Sequence, residues 1–327
     1  VPEIVFPTST EPSLNPTESG GRLINCYAER APEGSRSKFL IRRAPGLEEA
    51  FTAGAGVPRG ALYVSGTLYV FNGDKAYAVT KSSGVYTVVE QSGTLGGSGP
   101  VTAAHNMRAP TKQILIVHSG GMSQIASATV STFTDADLPS SNSIAFIDGY
   151  FMVGITDGRV FSSDINDDEF QSVNYATAES LPDGIVRVVA YGRDLLMMGE
   201  VSTEFWSNTG NATGFPFTRG PVLPVGLKAS QCVAGFDFGF PGDLCFAASD
   251  NAVYQISGYA PKRVSRPHEE RLIAAADSST LRASVYVAGG HACWALKSPD
   301  WTLVYDQTTG KWHERVSYGR DNWRATF

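Results

Sequence analysis

Few side chains in this chain are typed and spaced for chemistry. Asp164, Asn166 and Asp168 stand at the D-x-N-x-D interval that opens a calcium-binding loop. Such a loop needs glycine at its sixth position for the sharp turn and a bidentate glutamate at its twelfth. Glu169 and Tyr175 occupy those positions, so the segment reads as a solvated turn. His268, Glu269 and Glu270 offer three adjacent metal ligands. Neighbours on a helix do not share a face, so they read instead as the capped, exposed start of a short helix around 268–276. His313 and Glu314 have the types of an acid–base pair. Successive strand residues point to opposite sides of a sheet, which separates the two groups.

Glycoside cleavage would require carboxylates that converge. Asp148, Asp157, Asp194, Glu204 and Asp250 all fall near turn sequences, and no spacing ties them together. No G-x-S-x-G elbow and no glycine-rich loop opening a helix is present. Trp206, Trp294, Trp301 and Trp312 could stack on sugars, but three of them lie in apolar strand phrases where packing is the default. Cys26, Cys232, Cys245 and Cys293 are far apart without C-x-x-C spacing, and read as small buried or half-buried thiols of a reducing compartment. The residues nominate no catalytic group, no metal site and no cofactor, and the expectation is a protein that is not an enzyme.

The elements around these residues are strands. Ala61–Val64, Ser65-Gly66, Thr67–Phe71 and Asn72-Gly73-Asp74 alternate as strand, turn, strand, turn. The phrase returns at Ile144–Val153 with Arg159–Phe161, at Val188–Met198 with Thr203–Trp206, at Leu244–Tyr254, and at Val285–Trp294 with Thr302–Tyr305. A degenerate copy spans Gln113–Ile125. Six units therefore fill residues 59–316 at about 43 residues each, the period of propeller blades. Sheets apolar on both faces are stable only when stacked, which keeps apolar content even along the chain. A long sandwich is the competing architecture, but its strands need not recur in triplets. The expected fold is all-β and β-propeller-like, with about six to seven blades of antiparallel strands, incomplete at the C-terminus.

The 327 residues carry 34 Gly and 18 Pro, a charged fraction of 18% and a net charge of −6. No run of 18 apolar residues exists, so no membrane span is expected, and no signal peptide is visible at Val1–Pro7. An acidic chain without a block of like charge is a poor sequence-reading nucleic-acid binder. Pro2, Pro7, Pro12 and Pro16 make residues 1–20 an extended arm, with 21–327 as one propeller-like domain. Trp323–Phe327 reads as the first strand of a further unit.

Longer phrases carry a resemblance. Gly21–Glu29 followed by Arg42–Leu47, Phe161–Asp164, Ala178-Glu179, Pro182–Val186, Glu204–Gly210, Phe215–Phe217, Gly258–Ser265 with Glu270, Gly290-His291, Trp301–Asp306 and Thr309–Arg315 with Trp323-Arg324 occur in that order. Together they resemble the packaged-DNA stabilisation, or tail accessory factor, family of tailed phages. The resemblance implies a virion structural protein of the phage tail, made in the host cytoplasm. It implies a homo-oligomeric ring, usually a hexamer, below the portal and its head-to-tail adaptor. That ring would extend the channel through which double-stranded DNA passes without specificity, retain packaged DNA, and support a tail needle or tip. Relatives extend further at the C-terminus, so a strand such as Lys38–Arg42 is a candidate to complete the last sheet.

A ring of acidic subunits would repel phosphates within roughly a Debye length of 8–10 Å, which suits a conduit. Cyclic contacts are heterologous, so each subunit needs two different patches. The proline-rich arm is one candidate, expected to order only on assembly, and Arg42-Arg43 is the candidate interface pair. A glycan-binding or receptor-binding propeller of the tail is the alternative.

Overall fold

The structure, a computed structural model, describes residues 6–12, 20–178, 183–211 and 214–325. Pro2 and Pro16 of the arm, Glu179, Pro182 and Phe327 lie outside the described residues. A hairpin comes first, from β1 (Cys26–Arg30) and β2 (Phe39–Arg43). Blade one holds β3 (Pro58–Val64), β4 (Thr67–Asn72), β5 (Lys75–Ser82) and β6 (Val85–Glu90). In blade two, β7 (Ser92–Gly93) is followed by β8 (Thr102–His105), β9 (Ile114–His118), β10 (Gly121–Ala126) and β11 (Thr129–Phe133). Blade three comprises β12 (Ser141–Ile147), β13 (Tyr150–Ile155), β14 (Arg159–Ser163) and β15 (Phe170–Thr177). Blade four comprises β16 (Ile185–Tyr191), β17 (Asp194–Gly199), β18 (Thr203–Asn208) and β19 (Phe217–Leu223). Blade five comprises β20 (Val233–Ala234), β21 (Leu244–Ala247), β22 (Val253–Ser257) and β23 (Ala260–Arg263). After helix α1 (Pro267–Ala275), blade six comprises β24 (Arg282–Ala288), β25 (His291–Lys297), β26 (Thr302–Asp306) and β27 (Lys311–Glu314).

Consecutive strands in each blade pair antiparallel, as short hairpins dictate. Ser65-Gly66 and Asp148-Gly149 take φ values of 49° and 88°, and 51° and 93°, the doubly positive turn whose twist matches the flanking strands. In blade two, β7 adds as a parallel strand beside β11. The expected phrases fall on the first three strands of blades three, four and six, on the first two of blade one, and on β9–β10 and β21–β22 of blades two and five; the fourth strands escape the pattern.

The contacts divide the chain into two compact units, Glu48–Ser230, and Val1–Leu47 with Gln231–Phe327. In the first unit, three apolar clusters lie between consecutive blades. Phe71, Leu95, Ile116 and Val130 join blades one and two. Leu115, Phe151, Phe161 and Phe170 join two and three, and Met152, Val188, Leu195 and Trp206 join three and four. Each fully buried large side chain of this kind contributes about 1.5–3 kcal/mol. The first strands are also stitched across blades. Val101 N donates to Arg59 O (2.9 Å), Ile144 N to Thr102 Oγ1 (3.1 Å) and Val188 N to Ser143 Oγ (3.1 Å).

In the second unit, Ala283 N donates to Gln231 O (2.7 Å), the same kind of link between blades five and six. Helix α1 matches the expected 268–276 segment closely. Pro267 occupies its first position, and the backbone N–H of Arg266 donates to Glu269 Oε2 (2.8 Å).

Three expectations about the ends are corrected. Trp323 opens no further strand. It is buried against blade six, its N–H donating to Thr302 Oγ1 (2.9 Å) and its ring covered by the Arg315 guanidinium at 4.5 Å. The segment at Lys38–Arg42 does not complete the last sheet, because β2 pairs with β1 and β27 already supplies a fourth strand. Residues 9–11 do not wait for a neighbouring subunit, because Ser9 and Thr10 are buried against this chain's own blade six.

Candidate functional site

The feature that sets blade six apart is the N-terminal chain laid along its edge strand. Thr10 N donates to Trp312 O (2.7 Å), and Trp312 N donates back to Ser9 Oγ (3.0 Å). Leu23 N then donates to Thr10 Oγ1 (2.9 Å), which locks the two N-terminal pieces together. Glu314 N donates to Leu23 O (2.8 Å) and Asn25 N to Glu314 O (2.9 Å), a parallel bridge that adds one short strand beyond β27. Ion pairs fix the ends: Arg22 grips Glu314 with two bonds of 2.8 and 2.5 Å, and Arg266 pairs with Glu11. Arg315 donates to Pro45 O (2.6 Å), and Val316 N to Asn25 Oδ1 (3.1 Å).

From this anchored base the β1–β2 hairpin projects, with Tyr27 opposite Arg42 and Cys26 opposite Arg43. Arg42 donates to Glu29 across the hairpin (2.6 Å), both side chains being exposed. Arg30, Arg36, Lys38 and Arg43 have no carboxylate partner among the described residues. The loop between the strands folds into an open concavity of about 400 Å³, lined by Arg30, Pro32, Ser35, Ser37, Lys38 and Phe39. Arg42 and Arg43 therefore sit on a cation-rich projection of an acidic chain.

Beneath the hairpin lies a buried polar group. His291 Nδ1 is 2.7 Å from Asp306 Oδ2, which also accepts from Thr309 Oγ1 (2.6 Å). The Tyr27 ring meets the His291 ring edge-on at 4.7 Å. His313 is buried nearby, its ring 6.3 Å from that of Tyr27, and burial drives its pKa down to about 3.

The other sequence-nominated groups do not converge. Of the five carboxylates, Asp148 accepts from Asn208, Asp157 pairs with Arg159, and Asp194 accepts from Ser207. Glu204 accepts from Trp206 Nε1, and Asp250 from Tyr254. Each is bound to a side chain of its own or the next blade. His268, Glu269 and Glu270 diverge: Glu269 turns inward as the helix cap, its pKa raised to about 7 by burial, while Glu270 grips Arg263 and accepts from Ser265. His313 and Glu314 point to opposite sides of β27, as strand geometry requires. Trp294 and Trp312 pack edge to face at 6.4 Å, and Trp206 is core. All four cysteines are free thiols; Cys26 is half-buried and the other three are buried. Burial pushes the Cys293 thiol up to about 12.

Asp164–Asp168 forms the turn between β14 and β15, held by Asp164 N donating to Glu169 O (2.8 Å) and Asn166 N to Gly149 O (2.6 Å). Arg108 and Gln113 of blade two clasp it through Asp167 (2.6 Å) and Asp168 (2.6 Å). No group of three metal-ligating side chains occurs among the described residues.

A profile of the family described as "Bacteriophage P22 Gp10, beta-propeller" matches residues 22–324, nearly the whole chain. The chain belongs to this phage-stabilisation family. Membership makes it a bacteriophage β-propeller of structural or stabilising type, a virion component. The matched span begins at Arg22 and runs past Glu314, so both partners of the edge ion pair lie inside the family region. No curated protein matches the sequence. Among solved structures, this phage-stabilisation protein is similar to PorZ of Porphyromonas gingivalis, a surface component of the type-IX secretion system. That match has 15% identity and a TM-score of 0.45 over 78% of this chain, which spans 32% of PorZ. It is also similar to the computationally designed Ika8 protein (10% identity, TM-score 0.45, 79% of this chain and 74% of that one). BamB of Moraxella catarrhalis gives 12% identity and a TM-score of 0.44 over 78% of this chain and 71% of that one.

The docked N-terminal chain escaped the sequence reading. Ser9, Thr10 and Arg22 meet residues about three hundred positions away, and no local pattern marks such a contact. A faint signal exists in β27: Trp312 and His313 are too apolar and too aromatic for a strand left at an open sheet edge.

Proposed function

We propose that this phage β-propeller is a ring subunit of the tail, too acidic to hold DNA tightly, placed beneath portal and adaptor. The observation that carries this reading is the family match across residues 22–324, taken with the cation-rich hairpin. Arg30, Arg36, Lys38, Arg42 and Arg43 face only Glu29 and Glu33 within residues 26–43, on a chain of net charge −6. A cyclic ring joins two unlike patches, and a positive projection on one copy suits an acidic surface on the next. The acidic remainder lowers affinity for phosphates and so favours DNA passage over retention by direct binding. Retained DNA, the adaptor above and a needle or tip below complete the proposal, with assembly in the host cytoplasm.

Quantitative mass spectrometry on purified particles tests it. The expected ratio is about six copies against twelve of the portal for a hexameric ring. Absence from particles would overturn the reading. Arg42→Glu with Arg43→Glu should leave the monomer folded and lower ring assembly; rings of normal stability would remove the hairpin from the interface.

A further inference from the structure

Blade three contains an open cleft of about 330 Å³ that is separate from the N-terminal edge and the hairpin. Its lining includes Tyr150, Ser162, Asp164, Ile165, Asn174 and Asn211. The carboxylate of Asp164, the amides of Asn174 and Asn211, and the Tyr150 hydroxyl have no protein hydrogen bond among the described residues. Elsewhere the carboxylates near blade turns are each bound to a neighbour, as Asp157 is to Arg159 and Asp250 to Tyr254. Here several unpaired polar groups face one space.

The cleft is also held in shape. The turn carrying Asp164 is tied by Asp164 N to Glu169 O and by Asn166 N to Gly149 O, and clasped by Arg108 and Gln113 through Asp167 and Asp168. Asp164 is thus fixed by its backbone while its carboxylate stays free. Ser163 is already used, accepting from Phe151 N (2.9 Å) and donating to Asp164 O (2.8 Å). The Tyr150 ring is fixed against Phe217 at 6.5 Å, and the Ile165 side chain is exposed beside it. Groups held in place before binding lose little entropy when a ligand arrives.

The chemistry of the lining selects the ligand class. Among the described residues no cation lines the cleft, so a phosphate or carboxylate ligand has nothing to pair with. Asp167 is neutralised by Arg108 at 2.6 Å, which leaves one free carboxylate and too few hard ligands for a metal ion. One carboxylate accepts two donors, two primary amides both donate and accept, and Tyr150 adds a hydroxyl. With an aromatic edge and an aliphatic side chain alongside, that set matches the adjacent hydroxyls and C–H face of a sugar ring. We propose that this cleft binds a neutral saccharide, with Asp164, Asn174 and Asn211 as hydrogen-bonding residues and Tyr150 and Ile165 as the apolar wall.

Saturation-transfer-difference NMR on the intact chain, with the methyl glycosides of glucose, galactose, mannose and rhamnose as probes, tests the site. At least one glycoside should receive saturation at its ring protons. Asp164→Ala and Asn174→Ala should each weaken binding about tenfold or more, the loss of a hydrogen bond to a charged or amide group. Asp157→Ala, a paired carboxylate near another turn of the same blade, should bind as the parent does. Thermal melting establishes that the variants are folded. Absence of transfer to all four glycosides at millimolar concentration would overturn the proposal. So would equal transfer in every variant, or binding of calcium alone at these residues. The readout is independent of particle composition, so the cleft and the ring stand or fall separately.

Discussion

Strands β6 and β27 occupy the same place in their sheets, fourth of four, and meet opposite surroundings. Val85 and Val89 of β6 are 66% and 53% exposed, whereas Trp312, His313 and Glu314 of β27 are at most 4% exposed. Residues 9–10 and 22–25 hydrogen-bond along β27, and the Trp312 ring packs on Trp294 and Tyr305 and donates to Val264 O (2.9 Å). An uncovered edge must tolerate water, and its residues contribute little; a covered edge becomes core, and its residues acquire the energetics of core.

The largest test of that contrast is truncation of the covered strand. Trp312→Ala should cost about 3–5 kcal/mol, read as lost unfolding free energy in urea, while Val89→Ala on β6 should cost under about 0.5 kcal/mol. Equal losses would mean that β27 is no more part of the core than β6. Next comes pH. Burial holds the His313 pKa near 3, below its unfolded value, so the neutral imidazole stabilises the fold fully above about 6.5. That stability is lost as pH falls from 6.5 towards 3. Between pH 7 and 4.5 the parent should lose about 2 kcal/mol from this group, and His313→Gln should lose correspondingly less. A parallel fall in both would reassign the acid sensitivity.

A smaller effect is expected at Arg22→Ala, which leaves the buried Glu314 carboxylate without its cation. About 1–2 kcal/mol is expected, since Arg22 itself is half exposed and screened. Amide exchange at Glu314 should rise with it, because its N–H donates to Leu23 O. Smallest is Arg42→Ala in the exposed pair with Glu29, within about 0.5 kcal/mol by melting. A large loss there would mean that the Arg42–Glu29 pair, and not only the packing of Tyr27 on His291, holds the hairpin in place.

What was legible in the sequence follows the same physics. Inner strands such as β17 and β25 are buried on both sides, so phrases such as Leu195–Met198 and His291–Trp294 announced themselves. Fourth strands such as β6, β15 and β23 expose at least half of their residues and carry no continuous apolar run. Asp164, Asn166 and Asp168 correctly marked a turn, but the unpaired groups around it come from three separate segments and only the fold gathers them. Arg42 and Arg43 were visible as charge; their placement on a hairpin anchored by Asn25, Pro45 and Arg315 was not, because those partners lie 270 to 291 positions apart.

The cover on β27 also imposes an order of events. Ser9 contacts Trp312 across 303 positions, and Arg22 contacts Glu314 across 292. During synthesis residues 9–25 emerge well before the strand they cover, which follows nearly three hundred residues later. At about 5–20 residues per second, the interval is on the order of tens of seconds. Through that time the hairpin and its leading segment must stay soluble without their partner, while blades one to four can form from contacts already made. The seam cannot set until β27 is made, and a chain halted before residue 312 would leave it open.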